Sequence, residues 1–383
     1  MNYPVNTSPA DILCVGMGWF PKTPGGLNRY LYELSHHLSK QNDRIELCGV
    51  GLPDATDSSI AFTNLATPHS SLPQRLWSSQ ARFSQRQMQT PHAINLHFVL
   101  YSLPLLNQLP KDVPVTFTFH GPWAMESKQE GFGRCNIALK QWMEHQVFQR
   151  CDRFIVLSKA FGQILHEMHR VPWERIHVIP GGVDLQCFQA NLSRQAAREQ
   201  LGFPCDRTIL FTPRRLAHRM GIDNLLTALV EVKQHVPDVW LAIAGKGKIK
   251  PQLEQQIDQL GLRDHVKLLG YVPDEQLPIA YQAADLTVVP SQSLEGFGLI
   301  LLESLASGTP VLCTPVGGMP EVMTPFAPEL VTETTSTDAI AARLVDLLTG
   351  TIQLPSRVAC HEYVRQKFDW RAIAPQVRQV ILS

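Results

Sequence analysis

The sequence predicts an α/β chain made of two doubly wound, Rossmann-like parallel sheets, one following the other. Three observations carry this expectation. Short apolar runs alternate with amphipathic helical stretches along nearly the whole chain, the alternation restarts near residue 208, and 383 residues suffice for two domains of ordinary size. Strands separated by helices pair in parallel, because a parallel connection needs a crossover of helical length.

The elements follow in order. Residues 12–15 read as a strand ending in Gly16-Met17-Gly18, and residues 28–40 place Tyr30, Leu31, Leu34 and Leu38 on one helical face. Further strands are expected at 45–50, 93–98, 115–120, 153–157 and 177–179, with a helix at 137–149 among the connections. After residue 207 the strands are 208–212, 240–244, 266–269, 286–289 and 310–313, and the helices 222–235, 248–260 and 299–307. The hinge is placed within 181–207, which sets an N-terminal domain at 1–188 and a C-terminal domain at 189–367. The amphipathic tail 368–383 suits packing on either domain and is assigned back to the first.

Composition excludes several classes. Hydrophobic residues are 44% and charged residues 18% of the chain, so sizeable cores are available and wholesale disorder is not expected. Lysine plus arginine and aspartate plus glutamate are 34 each, a balance that argues against a nucleic-acid partner. The eight cysteines are scattered and never form Cys-x-x-Cys, which reads as reduced thiols in a cytoplasmic protein. No apolar run reaches the roughly 18 to 20 residues of a spanning helix, and the N-terminus shows no secretion-signal pattern. Asp-x-Asp, Gly-x4-Gly-Lys-Ser/Thr and His-Glu-x-x-His are all absent, so a metal-dependent transferase, a P-loop nucleotidase and a zinc enzyme lose support and no metal or other cofactor is expected.

The most informative segment is residues 293–310, SLEGFGLILLESLASGTP. Glu295 closes the loop after a strand, and Gly296, Phe297, Gly298 and Leu299 open a helix whose amides suit an anion such as phosphate. Glu303 lies five residues beyond Gly298, about 7.5 Å of helix rise, which matches the reach from a nucleotide's phosphates to its ribose hydroxyls. The alternative is that Glu303 pairs with an arginine and the glycines make an ordinary turn. Gly25-Gly26 precedes a helix and forms a second phosphate-approach loop. His120 ends a strand, at the edge where open α/β sheets bind ligands, and Trp123 and Glu126 follow as candidates for an acceptor pocket. Arg214, Arg215 and Arg219 cluster after the strand 208–212. A basic stretch at 58–110 has no acidic residue and interleaves Arg75, Arg82 and Arg86 with Leu76, Trp77, Phe83 and Met88, which suits either peripheral contact with an anionic membrane or a solvated flank.

EGFGLILLE at 295–303, followed by ASGTPV and PVGGMPEV, resembles the retaining glycosyltransferases of family 4 (group 1), which have the two-domain GT-B fold. Fragments in the family's order extend the resemblance along most of the chain: PGGLNRYLYELSHHL, TFHGPW, IVLSKAF, IPGGVDLQCF, RRLAHRMGIDNLLTAL, AIAGKGK and GYVPDEQLPIAYQAADL. The resemblance implies two domains facing across a cleft, with the donor mostly on the C-terminal half. It implies that Gly25 and Gly26 meet the donor diphosphate, His120 and Glu295 the transferred sugar, and Glu303 the ribose. Gly245, Lys246 and the Tyr271-Val272-Pro273 loop would hold the nucleobase. Similar enzymes carry an arginine and, five residues on, a lysine before glycine; here Arg215 is followed at that place by Met220, and Arg219 is the expected substitute.

The expected activity is transfer of a sugar, with retention and same-face attack, from a nucleotide diphosphate sugar to a hydroxyl of a glycan, lipid-linked or small-molecule acceptor. A UDP-sugar is favoured and GDP-mannose is next. A non-catalytic sugar-nucleotide or carbohydrate binder on the same fold is the alternative, supported by the lysine missing at Met220. A nicotinamide enzyme using Gly16-Met17-Gly18 is disfavoured, since no acidic residue ends the second strand.

Overall fold

The computed structural model describes residues 8–53, 59–189 and 191–383. The opening residues 1–7, residue 58 at the start of the basic stretch and residue 190 in the expected hinge lie outside them.

The chain divides into two compact units, Met1–Gly182 with Trp370–Ser383, and Val183–Asp369. In the first, the described strands are β1 (Asp11–Val15), β2 (Arg44–Val50), β3 (Ile60–Ala66), β4 (Ala93–Leu96), β5 (Val115–Phe119), β6 (Arg153–Val156) and β7 (Ile176–Val178). They pair in parallel in the order β3-β2-β1-β4-β5-β6-β7. Helices cover both faces, so the central strands are apolar on both sides, and Leu13, Val15, Ile94, Leu96, Val115, Phe117 and Phe154 join one core. Strand β3 is an addition to the sequence reading. It is an edge strand whose middle residues, Ala61 to Asn64, are only partly buried, so neither a continuous apolar run nor a clean alternation marks it.

The second unit holds β8 (Thr208–Pro213), β9 (Val239–Ala244), β10 (Val266–Gly270), β11 (Leu286–Val289) and β12 (Val311–Cys313), all parallel, in the order β10-β9-β8-β11-β12. The chain thus runs outward from β8 to β10, returns to pair β11 with β8, and runs outward again. Such a reversal leaves the loops after β8 and β11 side by side at the carboxyl ends of the strands, where doubly wound sheets bind ligands. In the first unit the reversal falls between β1 and β4.

The boundaries correct the expected 188/189 and 367/368. The junctions fall at Gly182/Val183 and Asp369/Trp370. Phe188 is buried with its ring 6.1 Å from Tyr281, Val183 donates its N–H to Phe368 O at 2.9 Å, and Val183 bridges Asp369, all within the second unit. The helix Trp370–Leu382 belongs to the first unit: Trp370 packs 5.1 Å from Tyr30, and Arg378 donates to both Asp43 oxygens at 2.7 and 2.8 Å. Apolar burial and a buried bidentate pair therefore tie the tail down, and losing one partner of such a pair costs about 3–5 kcal/mol.

No helix among the described residues is long and apolar enough to cross a membrane. No disulfide joins the eight cysteines, all of which are among the described residues; Cys135, Cys187 and Cys205 are exposed and the rest buried.

Candidate active site

In the second unit four loops are stitched together at one edge of the sheet. Arg214 donates its N–H to Ala244 O at 2.8 Å and Leu216 donates to Lys246 O at 3.0 Å, joining the loops after β8 and β9. Gln292 donates to Arg219 O at 2.8 Å and Arg219 Nη1 to Leu294 O at 3.2 Å, joining the loops after β8 and β11. The loop after β12 closes on Glu295, whose carbonyl accepts from Gly318 at 3.1 Å. At Gly317, φ is +57° and a Cβ would lie 1.7 Å from Glu295 O, so the close approach requires glycine.

The Glu295 side chain is held by this scaffold. Arg214 Nη2 donates to its Oε2, as does Ser291 Oγ at 3.2 Å, and the same Nη2 donates to Ser291 Oγ. Arg214 is 7% exposed, follows β8 directly and also contacts Met220 Sδ at 2.9 Å. The structure thus puts a cation beside Met220, but it is Arg214, which the sequence reading left out of the site. Arg219, expected to fill that place, turns toward Leu294 O, and Arg215 is exposed.

Gly298 caps the helix Leu299–Ala306, so Gly296, Gly298 and Leu299 offer main chain at its start. The Phe297 ring is buried 5.9 Å from that of Phe368, so its side chain serves the core and its backbone is what it can offer a ligand. Glu303 is 6% exposed and accepts from Tyr281 Oη at 2.9 Å. One partner of this carboxylate is thus a tyrosine hydroxyl. Lys246 lies with Nζ 5.2 Å from the Tyr271 ring centroid, a cation–π contact that joins Gly245-Lys246 to the loop holding Val272.

In the first unit, the helix Gly26–Ser39 starts at Gly25, whose φ is +142°, and a Cβ on Gly25 or Gly26 would meet no atom of the described residues within 4 Å. Among the described residues no neighbour demands bare backbone at Gly26, which leaves room there for an approaching group. Buried Asn28 shapes the preceding loop by accepting from Gly18 N–H at 3.2 Å and donating to Thr23 O at 3.0 Å.

His120 follows β5 directly and is half-buried. Its Nε2 lies 3.0 Å from Nδ1 of His97, which follows β4 closely, and Tyr30 packs edge-on against His120 at 5.1 Å. Burial pushes the His120 imidazole down to about 3; burial, then the neighbouring ring, holds His97 well below its usual range. Two neutral rings share one proton between the facing nitrogens, so His97 sets which nitrogen His120 presents elsewhere. The strand-end logic that singled out His120 applies equally to His97, which the sequence reading missed.

Trp123 opens the helix Trp123–Gln129 that carries Glu126, and Lys140 sits 4.5 Å over its ring. Glu144, buried on the helix Arg134–Arg150, accepts from Ala124 N–H at 3.3 Å and holds the start of that helix. Burial raises its carboxyl to about 7. Ser158 caps the helix Lys159–His169, and Asp184 Oδ1 accepts from Gln186 N–H at 2.8 Å, so both serve local structure. Of the basic stretch, Arg86 is buried on Phe83, and Arg75 donates to Ser70 O and Pro68 O.

Two doubly wound units, with paired glutamates around a glycine turn in the second, make up a two-domain Rossmann-like architecture. The chain belongs to the group 1 glycosyltransferases: residues 193–367 match the family described as glycosyl transferases group 1, and residues 24–186 match glycosyltransferase family 4. It is 37% identical over 214 residues to a D-inositol 3-phosphate glycosyltransferase of Mycolicibacterium smegmatis, covering 54% of this chain and 48% of that one. The chain spans about half to two thirds of the length of the first such relatives. Among solved structures, a sucrose-phosphate synthase from Thermosynechococcus elongatus superposes with a TM-score of 0.79 at 22% identity, covering 97% of this chain and 98% of that one. Anabaena HepE in complex with UDP and glucose gives 0.75 at 20% identity, covering 97% and 98%.

Proposed function

We propose that this chain transfers a sugar, with retention and without a metal ion, from a nucleotide diphosphate sugar to an acceptor hydroxyl. The observation that carries the reading is the placement of Glu295 and Glu303 on either side of the Gly298 turn, at the carboxyl edge of a doubly wound sheet. Glu303 takes the ribose hydroxyls, the amides of Gly296 to Leu299 and the Gly25-Gly26 turn take the diphosphate, and Glu295 and His120 act at the transferred sugar. Gly245, Lys246 and Val272 hold the base. The chain has no Asp-x-Asp triplet, so arginine and helix-start amides carry the leaving charge. The departing diphosphate then accepts the acceptor proton as the new bond forms on the same face. UDP-sugars are the first choice of donor, in line with the UDP and glucose of the Anabaena neighbour, and GDP-mannose is the second.

Trp123 and Glu126 belong to the acceptor side, for a glycan, lipid-linked or small-molecule acceptor. A cytoplasmic location with peripheral membrane contact fits a lipid-linked one: Leu72 and Trp77 on one helix and Leu139 and Trp142 on another are exposed.

Turnover and thermal shift across UDP-, GDP-, ADP- and TDP-sugars test the reading. Release of free nucleoside diphosphate that depends on acceptor and falls in Glu295→Gln supports it. Stabilisation by a donor without turnover in the presence of any acceptor makes the chain a binding protein instead.

A further inference from the structure

The lysine absent at residue 220 leaves open where the cation of this loop resides. We propose that Arg214 is the positioning cation for Glu295 and that Met220 is its matched neutral neighbour, so that the charge expected at residue 220 is delivered from residue 214. The pairing itself stands on geometry within one unit; its catalytic consequence rests on the proposed function.

Arg214 leaves the end of β8 and turns inward, where Nη2 donates to the Glu295 carboxylate and to Ser291 Oγ. Met220, at the end of the 3-10 turn His218–Met220, is 6% exposed and lies with Sδ 2.9 Å from that same nitrogen. Arg214 Nε is buried with no partner among the described residues, so a second cation beside Met220 would draw on the acceptors that Nη2 already uses. A lysine at 220 would bring an ammonium against the guanidinium, and two buried like charges would compete for one carboxylate. Methionine has nearly the length of lysine, no charge and a polarisable sulfur, and so fills the space without that conflict. Arg219 directs its Nη1 to Leu294 O instead.

Two charge-assisted or hydroxyl donors on Oε2 fix the direction of the Glu295 carboxylate, while the Gly317 contact fixes its backbone. A glutamate acting at the transferred sugar needs its direction in the transition state more than in the bound donor. Loss of Arg214 therefore lowers kcat and leaves donor KM nearly unchanged.

The test is a double-mutant cycle on the full chain: wild type, Met220→Lys, Arg214→Ala and the double variant, each read by melting temperature and by kcat and KM for the donor that the nucleotide-sugar screen selects. Met220→Lys is expected to melt several degrees lower and to lose kcat about tenfold or more. Arg214→Ala is expected to lose kcat by about tenfold or more with donor KM within about threefold. In the double variant the lysine meets Glu295 without a competitor, so melting temperature and kcat both recover beyond the worse single variant. Arg214→Met, closer in volume, guards against simple unfolding: it keeps its circular dichroism and loses kcat as Arg214→Ala does. Additive effects in the cycle, a wild-type-like Met220→Lys, or full kcat in Arg214→Met each overturn the proposal. If the wild-type protein turns over no donor, the proposed function falls, and the melting-temperature cycle decides the pairing by itself.

Discussion

Changing Glu303 to Gln removes a charge from the donor side while keeping the shape of the side chain and an acceptor for Tyr281. Tyr281 is fully buried and its hydroxyl donates to Glu303 Oε2 at 2.9 Å, so the amide oxygen of Gln can still take that bond. Stability should therefore fall by less than about 1 kcal/mol. The ribose hydroxyls, in contrast, lose a charged acceptor, worth about 1.5–3 kcal/mol in both ground and transition states. That range corresponds to a rise in donor KM of about 10- to 150-fold with kcat little changed. Tyr281→Phe gives the complementary result: it removes the buried hydrogen bond to Glu303 Oε2, lowers stability by about 1–3 kcal/mol, and raises donor KM less than Glu303→Gln does. Initial rates at varied donor and urea unfolding of the same proteins provide both readouts. An unchanged donor KM in Glu303→Gln refutes the ribose assignment, and a variant that loses only stability makes the Tyr281–Glu303 bond purely structural.

Gly317→Ala places a Cβ against Glu295 O at a backbone angle that costs other residues about 1–2 kcal/mol, so it should lower both stability and kcat; wild-type values for both would refute the close approach. His97 and His120 have folded pKa values below the ordinary 6.5, so the unfolded chain binds protons that the folded one does not. The contribution of His120 to stability is complete above pH 6.5 and is lost as pH falls toward 3, and that of His97 is lost in the same direction. For His120 it amounts to at most about 5 kcal/mol, reduced because the ring is only half-buried. Denaturant melts across pH 4–7 should steepen with acid in the wild type and flatten in His120→Asn; parallel curves would refute this. Glu144 has the opposite sign: its carboxyl is raised from 4.5 to about 7, so its contribution is full below pH 4.5 and is lost as pH rises through about 7. Glu144→Gln should be the more stable protein at pH 8, by up to about 3 kcal/mol, and equal melting at pH 8 would count against the raised pKa.

What could be read from the sequence depended on neighbours along the chain. Runs such as Ile12 to Val15 and Trp240 to Ala244 are apolar without alternation because helices cover both faces of each sheet, and that pattern marks parallel strands. Glu295, Gly298 and Glu303 lie within nine positions on one strand-loop-helix, so helix rise already set their spacing. Where burial is one-sided or partners are remote, the signal fades. Strand β3 is an edge, and Phe188 joins the second unit only because Tyr281 waits for it there. Which of three neighbouring arginines turns inward was not legible either, since Glu295 and Ser291 come from a loop some 77 to 81 positions away, brought alongside by the pairing of β11 with β8. The His97–His120 pair likewise exists because β4 and β5 are neighbours in one sheet. Local residue pattern determined the strands, the helices and the glutamate spacing; strand order decided which side chains meet, because contacts between distant segments arise only when the sheet places their loops side by side.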